Sequence, residues 1–287
     1  MKILAPLRGV TIRMFRHVFA KPIVEAGFTE AITPFVSANA GVDPSKDREL
    51  KFDPDFPLKV TPQFIGKDPG ALRFCLRRII DMGYDTADLN VGCPFPMVRN
   101  KGRGSGLMKT PDILRGMLQA GCETMGDGRF SAKVRLGVDG PHELFELMPI
   151  FNEFPLRFVT VHARYAKQMY EGACDWREFE AVASLSKVPV VKNGDLPPDV
   201  AEGMVGRSFL RDLAIRPDIT ELLERYIKES KTELFGDKPV VGRLKELISY
   251  FAENPSWKRR WQTVKLARSL DELAAVLCLS DVGRPHV

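Results

Sequence analysis

Residues 86–108 read TADLNVGCPFPMVRNKGRGSGLM, and this stretch decides the fold class. Thr86 to Val91 has the composition of a buried β-strand, and the run stops at Gly92. A loop follows that contains Cys93, two prolines, three basic residues and three glycines. Because parallel α/β proteins present functional residues at the carboxyl ends of their strands, the stretch predicts such a fold with Cys93 at its functional end.

Cys93 has a second interpretation, as a small buried hydrophobic residue without a chemical role. Gly92 and Pro94 enclose it in a turn, which favours the functional interpretation. The following residues form a basic, glycine-rich arm, which we expect to be mobile and suited to binding phosphate rather than to packing in a core. Its candidate substrate-binding cations are Arg99, Lys101 and Arg103.

Eight short β-type runs recur along residues 1–218, with helical or irregular segments between them. This alternation predicts a (β/α)8 TIM barrel. From about residue 219 the pattern is helical only, which predicts a second domain, a small α-helical bundle over 219–287. The predicted strands are Ile3 to Leu7, Ala31 to Ser37, Lys59 to Ile65, Thr86 to Val91, Ser131 to Leu136, Phe158 to His162, Val188 to Lys192 and Gly203 to Val205.

Nearly every predicted strand ends close to polar residues or glycines. A purely structural barrel would not need them, because inward-pointing polar groups must find partners. We therefore expect these residues to converge on one site at the barrel mouth. They are Ala5, Pro6, Gln63, Asn90, Cys93, Lys133, Arg135, His162, Arg164, Asn193, Gly194, Asp195, Gly206 and Arg207.

Lys133 and Arg135 alternate with apolar Val134, so both side chains point to one face of their strand. A solvated strand edge is one explanation, but the apolar neighbours favour an anion or an electron-rich ring as their partner. His162 is equally compatible with a hydrogen-bonded core histidine. The turns at Gly194 and Gly206 resemble tight turns that offer backbone N–H groups to a phosphate.

The helical region is rich in lysine, arginine and aromatic residues, among them Tyr250, Trp257 and Trp261. It fits either a nucleic-acid surface or a solvated helix face with aromatic side chains in the bundle core. The chain has 287 residues, a formal net charge of +5 and five cysteines without CxxC spacing. These features argue against a disulfide framework and a metal site, and without a long apolar run we expect a cytoplasmic protein with no membrane segment.

Taken together, the motifs resemble those of the tRNA-dihydrouridine synthases, flavin enzymes with an FMN-binding barrel and a helical tRNA-binding domain. The resemblance covers nearly the whole chain. It rests on AP-x-x-GVT at 5–11, Q-x-x-G at 63–66, DLNVGCP at 88–94, KVRLG at 133–137, HAR-x-x-x-Q-x-Y-x-G-x-x-DW from residue 162, NGD at 193–195 and GR at 206–207.

The resemblance implies reduction of the C5=C6 bond of a uridine in tRNA, with NADPH as the reductant of FMN. Cys93 would donate the proton. The implied FMN contacts are Ala5, Pro6, Gln63, Lys133, His162, Asn193, Gly194, Asp195, Gly206 and Arg207, and Asn90, Arg135, Arg164 and Tyr170 would contact the uridine together with the basic arm. The protein is expected to be monomeric, and details such as GRLKELISYF at 242–251 favour the bacterial group that modifies position 16 of the D-loop.

The chain departs from this pattern between Asn193 and Arg207, which are closer together than the resemblance implies. The seventh helix and much of the eighth strand are therefore expected to be missing. Two other hypotheses stay open: a tRNA-binding barrel with impaired catalysis, and an FMN barrel oxidoreductase that acts on a free pyrimidine.

Overall fold

The computed structural model describes residues 1–279. Within them, eight strand positions form a closed parallel barrel, as predicted for a TIM barrel. The strands are β1 (Lys2–Leu4), β2 (Glu30–Ile32 and Val36–Ser37), β3 (Lys59–Thr61 and Gln63–Ile65), β4 (Ala87–Val91), β5 (Phe130–Gly137), β6 (Val159–Tyr165), β7 (Val190–Asn193) and β8 (Gly203–Val205).

Each strand pairs in parallel with its neighbours in the chain, and β8 closes the barrel against β1. Pro62 interrupts β3, since proline cannot donate to the ladder. Apolar side chains including Ile3, Phe158 and Met204 fill part of the interior. The amino-terminal end contains an ion pair in which half-buried Arg157 donates to buried Glu30 at 2.7 Å.

The helices surround the barrel and then continue beyond it. They are α1 (Arg13–Val18), α2 (Ala20–Glu25), α3 (Pro69–Asp81), α4 (Pro96–Arg99), α5 (Pro111–Met125), α6 (Glu143–Phe151), α7 (Trp176–Leu185), α8 (Arg207–Leu213), α9 (Ile219–Glu233), α10 (Asp237–Phe251), α11 (Pro255–Val264) and α12 (Leu270–Leu277). Short 3-10 helices lie at Pro44–Lys46, Arg48–Leu50, Gly104–Lys109 and Ala166–Gln168. No helix in residues 1–279 is long and apolar enough to cross a membrane.

The seventh unit is shortened. No helix lies between β7 and β8, where residues 194–202 form an irregular connection. Strand β8 has only three residues, but Met204 pairs with Asn193 of β7, and Gly203, Met204 and Val205 pair with β1. The loss of the helix therefore leaves the barrel closed, because closure depends on the strand ladder.

The basic arm was expected to be mobile, and the structure corrects this expectation. Residues 96–99 form α4, and residues 104–108 are buried in a 3-10 helix against Cys93. Gly104 adopts φ +57°, and a Cβ there would lie 2.7 Å from the Cβ of Cys93. The glycine content of the arm suggested flexibility, but in the structure Gly104 permits close packing on Cys93.

The four C-terminal helices α9–α12 pack on the barrel through one hydrophobic cluster shared with α1, α2 and α8. Tyr226 of α9 meets the rings of Phe15 and Phe19 edge-on. Trp257 is buried and donates to the carbonyl of Ala214 at 2.7 Å, so this aromatic residue belongs to the core. The division into two domains at residue 218 stays a prediction, because the two regions share their apolar interior.

Gly121 of α5 provides a test of the packing that supports β5. An added Cβ at Gly121 would overlap the ring of Phe130, the first residue of β5. We expect Gly121→Ala to lower the free energy of unfolding by roughly 1–3 kcal/mol, because overpacking outweighs the gain in helix propensity. Gly116→Ala in the same helix is the control, since its nearest atom is 3.4 Å away, and it should be neutral or stabilising in denaturant titrations. Equal effects of the two substitutions would contradict the packing.

Candidate active site

A cavity of about 640 Å³ lies at the carboxyl ends of the barrel strands. This volume is in the usual range for a small-molecule or cofactor site. Twelve of the residues predicted from the sequence line it: Ala5, Pro6, Asn90, Cys93, Lys133, Arg135, His162, Tyr170, Asn193, Gly194, Gly206 and Arg207. Strand ends that are far apart in the chain therefore meet at one mouth.

Six other predicted residues lie outside the cavity wall or behind it. Gln63 is fully buried beneath Asn90, to whose side-chain amide it is hydrogen-bonded. The basic residues of the arm, Arg99, Lys101 and Arg103, are absent from the lining. Arg164 and Asp195 are also absent from the lining. Arg164 is buried, donates to the carbonyl of Gly172 and forms an ion pair with Asp195.

Cys93 is held from several sides just beyond β4. Its N–H donates to Asn90 Oδ1 at 2.9 Å, and its carbonyl accepts from the backbone N–H and the hydroxyl of Ser105 at 3.1 and 2.9 Å. Arg135 Nε donates to the carbonyl of Gly92 at 3.1 Å. These bonds fix the backbone of Cys93, which itself lines the cavity.

The thiol of Cys93 is buried, with 7% of the residue exposed. Burial raises its pKa above the ordinary value, although the N–H of Phe95 and the charges of Arg135, Arg8 and Lys133 act in the opposite direction. A raised pKa keeps the thiol protonated at neutral pH. The residue is therefore suited to give a proton rather than to attack as a thiolate.

Lys133 is the cation of the cavity that has no partner. No hydrogen bond or ion pair within residues 1–279 involves its ammonium group, and its neighbour Arg135 adds positive charge. Burial, and then the charge of Arg135, lower the pKa of Lys133 to about 7. The charge of Asp88 acts in the opposite direction, and an anion bound in the cavity would add to it and relieve the remaining cost.

His162 is a neutral side chain in the same wall. Burial and the surrounding cations, with Arg135 first, hold its pKa well below the ordinary range. Its Nε2 lies 3.3 Å from Nη1 of Arg164, so the neutral ring accepts a hydrogen bond there. His162 can then offer its other ring nitrogen as a donor to a bound group.

The aromatic ring of Tyr170 lines the cavity, and the residue is 39% exposed. The guanidinium carbons of Arg135 and Arg207 both lie 5.1 Å from its ring centroid. Two cations next to one ring hold the ring in place at the cavity.

The turns after β7 and β8 leave two amides available. The N–H groups of Gly194 and Gly206 donate to no residue within 1–279, and both glycines line the cavity. Arg207 adds a charge beside them, although Asp195 accepts from its Nη2 at 3.3 Å. The free N–H groups of these two glycines, the Lys133 ammonium group and the Tyr170 ring together fit a planar group with a phosphate, such as FMN.

Sequence reasoning missed several residues of the cavity wall. Arg8 and Gly9 lie inside the AP-x-x-GVT motif, so their position in that motif could have identified them as cavity residues. Glu246 and Tyr250 come from α10 and Glu253 follows the end of that helix, and no local pattern indicates that this segment contacts the barrel mouth. The wall also includes Leu7, Pro34, Phe35, Gly92, Pro94, Phe95 and Met97. No group of three or more metal-ligating side chains occurs in residues 1–279.

Lys133 gives a test of whether its charge destabilises the flavin-free protein. We expect Lys133→Met to raise the melting temperature of the flavin-free protein by roughly 2–4 °C at pH 6, because it removes a cation whose loss of hydration outweighs its attraction to Asp88. Folding lowers the pKa of Lys133. The charged lysine therefore destabilises the folded protein fully below pH 7, and this effect disappears as the pH rises towards the lysine pKa of the unfolded chain. The gain should therefore shrink at pH 9, as scanning calorimetry would show. An equal gain at both pH values would contradict this origin.

Comparisons with known proteins identify the family to which the chain is similar. The model of the family described as dihydrouridine synthase (Dus) matches residues 3–199. A probable tRNA-dihydrouridine synthase of Rhodobacter capsulatus is 28% identical over 197 residues, covering 68% of this chain and 59% of that protein. The tRNA-dihydrouridine synthase B of Escherichia coli K12 is 28% identical over 196 residues, covering 68% and 60%. This chain thus aligns with about 60% of the length of these relatives.

Solved structures share the fold at low identity. An old yellow enzyme homologue from Zymomonas mobilis superposes with a TM-score of 0.54 at 11% identity, covering 72% of this chain and 84% of that chain. A morphinone reductase variant in complex with tetrahydroNAD gives 0.52 at 10% identity, covering 73% and 83%. This similarity concerns the barrel fold alone. Because the family model extends over more than half of the sequence, the chain belongs to the dihydrouridine synthase family.

Proposed function

We propose that the protein is a flavin-dependent tRNA-dihydrouridine synthase that reduces the C5=C6 bond of a uridine in the D-loop of tRNA. The observation that carries the proposal is the position of Cys93, whose backbone is hydrogen-bonded to Asn90 and Ser105 and whose side chain lines a cavity with Lys133 and Arg135, in a member of this family. The relatives are named tRNA-dihydrouridine synthases, which supports tRNA as the substrate.

The cavity residues divide into two proposed groups. Lys133, His162, Asn193, the turn glycines and Arg207 would hold FMN, with Ala5 and Pro6 packing beside it. Bound FMN, reduced by NADPH, would supply the hydride for C6 of the uracil. Cys93 would donate its proton to C5 from the opposite face of the ring, and the raised thiol pKa keeps that proton in place until it is needed.

The uracil must leave the tRNA stack to reach this cavity. Tyr170, braced by Arg135 and Arg207, offers a planar surface for the flipped base. Tyr250 of α10 lies in the same wall, so the C-terminal helices would contact tRNA close to the reacting base. The exposed basic residues of α11, Lys258, Arg259 and Arg260, would bind phosphates farther away.

A tRNA-binding barrel with impaired catalysis is the second candidate function. Two observations favour it: Asp195 places a carboxylate beside Arg207 at the proposed phosphate end, and no helix lies between β7 and β8. The absorbance spectrum distinguishes the candidates. Purified synthase should be yellow with bound flavin and should form dihydrouridine in tRNA with NADPH, whereas the impaired protein should bind tRNA without either property.

Cys93→Ala tests the proton donor. We expect it to retain flavin and tRNA binding and to lose about 10²- to 10⁴-fold in turnover, the range for removal of a general acid. Turnover is measured as dihydrouridine formed, by mass spectrometry of digested tRNA. Cys278→Ala is the control for general thiol effects, because Cys278 is exposed and lies outside the cavity. Normal turnover by Cys93→Ala would rule out the proposed acid.

The pH dependence gives an independent test of the same role. A donor acts in its protonated form, and the thiol pKa is raised from an ordinary value of 9.0. Single-turnover uridine reduction by pre-reduced enzyme should therefore stay level from pH 7 to 8 and should fall to half only above pH 9. A fall that begins below pH 8 would show that Cys93 titrates in the wrong range for the role.

A further inference from the structure

Asp88 is a buried acid for which the proposed chemistry has no use. It lies on β4 inside the barrel, is 0% exposed and is absent from the cavity wall. Ser131 Oγ donates to its Oδ1 at 2.6 Å, and Gln63 Nε2 donates to its Oδ2 at 2.7 Å. A buried carboxylate has a high desolvation cost, so an apolar side chain would suffice if the position served packing alone.

From Asp88 a continuous series of hydrogen bonds leads to the backbone of Cys93. Gln63, which donates to Asp88, accepts through Oε1 from Asn90 Nδ2 at 2.8 Å. Asn90 Oδ1 in turn accepts from the N–H groups of Gly92 and Cys93 at 3.1 and 2.9 Å. We call these residues, Asp88, Gln63 and Asn90, the acid–amide chain.

The carboxylate gives the acid–amide chain its direction. An ionised carboxylate only accepts, so Gln63 must turn its NH2 group towards Asp88 and its oxygen towards Asn90. Asn90 must then direct its oxygen at the two backbone N–H groups. If both amides were reversed, the NH2 group of Asn90 would face the N–H groups of Gly92 and Cys93, and the turn would lose its acceptor.

We propose that Asp88 is a positioning residue that acts through Gln63 and Asn90 to hold the turn that presents the Cys93 thiol to the substrate. The inference rests on the proposed function, in which that thiol is the proton donor. It also explains why Gln63 lies beneath the cavity wall: both ends of its amide are engaged within the acid–amide chain.

The charge balance around Asp88 agrees with this role. Burial raises the pKa of Asp88 to about 6, while the bonds from Ser131 and Gln63 and the charge of Lys133 act to lower it. The side chain is therefore mainly ionised at neutral pH, which is the state that fixes the direction of both amides.

Asp88→Asn is the test, because it keeps the size of the side chain and removes the group that can only accept. The reduction of bound flavin by NADPH does not use Cys93 and should stay within about twofold of wild type. Uridine reduction by pre-reduced enzyme, followed in single turnover, should slow on the order of tenfold or more, since small misplacements of a reacting group have effects of this size. Ser131→Ala is the matched control, because it removes the other hydrogen bond of the carboxylate and leaves the acid–amide chain intact.

A second readout needs neither flavin nor tRNA. The alkylation rate of Cys93 by iodoacetamide, assigned by peptide mass spectrometry, is measured against pH in the flavin-free protein. A loosened turn should raise the plateau rate at high pH in Asp88→Asn, whereas a changed thiol pKa would only move the midpoint. Ser131→Ala should keep the plateau of wild type.

The outcomes separate the two proposals. An unchanged alkylation plateau, or equal losses in flavin reduction and uridine reduction, would show that Asp88 has only a structural role and would overturn the inference. If wild-type protein with bound flavin reduced no uridine in any tRNA, the proposed function would fail, while the plateau would still report whether Asp88 holds the Cys93 turn.

Discussion

The pairing of β8 with β1 is the contact on which the site depends. Three residues, Gly203 to Val205, join the last strand to the first and close the barrel. Closure places Gly206 next to Ala5 and brings β7 and β8 opposite β4 and β5 across one mouth. No helix lies between β7 and β8, yet this ladder is complete, which indicates that strand pairing, rather than the outer helix layer, maintains the cavity at this point.

Inside the mouth, the balance of charge is set by burial. Lys133, Arg135 and Arg207 line the cavity together with Glu246 and Glu253. The carboxylate of Asp88 is buried behind the wall, and that of Asp195 is exposed outside it. This arrangement lowers the pKa of Lys133 and keeps His162 neutral. The cavity is thus suited to an anionic planar group, and the lowered pKa of Lys133 is the physical sign of a binding site.

The turn around Cys93 shows how the protein combines rigidity with access. Its backbone is bonded to Asn90 and Ser105, and Gly104 packs on its Cβ, yet its side chain lines the cavity. The acid–amide chain connects this turn to the interior of the barrel. The structure therefore extends the site beyond the groups that would touch substrate, to a carboxylate that no substrate can reach.

The sequence by itself determined the barrel and most of its mouth. Extended apolar runs followed by polar residues or glycine are local patterns, and parallel strands bring such ends together, so Cys93, Lys133, His162 and Gly206 were identifiable in advance. Only the tertiary structure decided that Gln63 faces Asp88, that the basic arm folds onto Cys93, and that Glu246 and Tyr250 of α10 complete the wall. These features depend on contacts between distant segments and on the hydrogen-bond direction imposed by a buried charge, and neither leaves a periodic signal in the sequence.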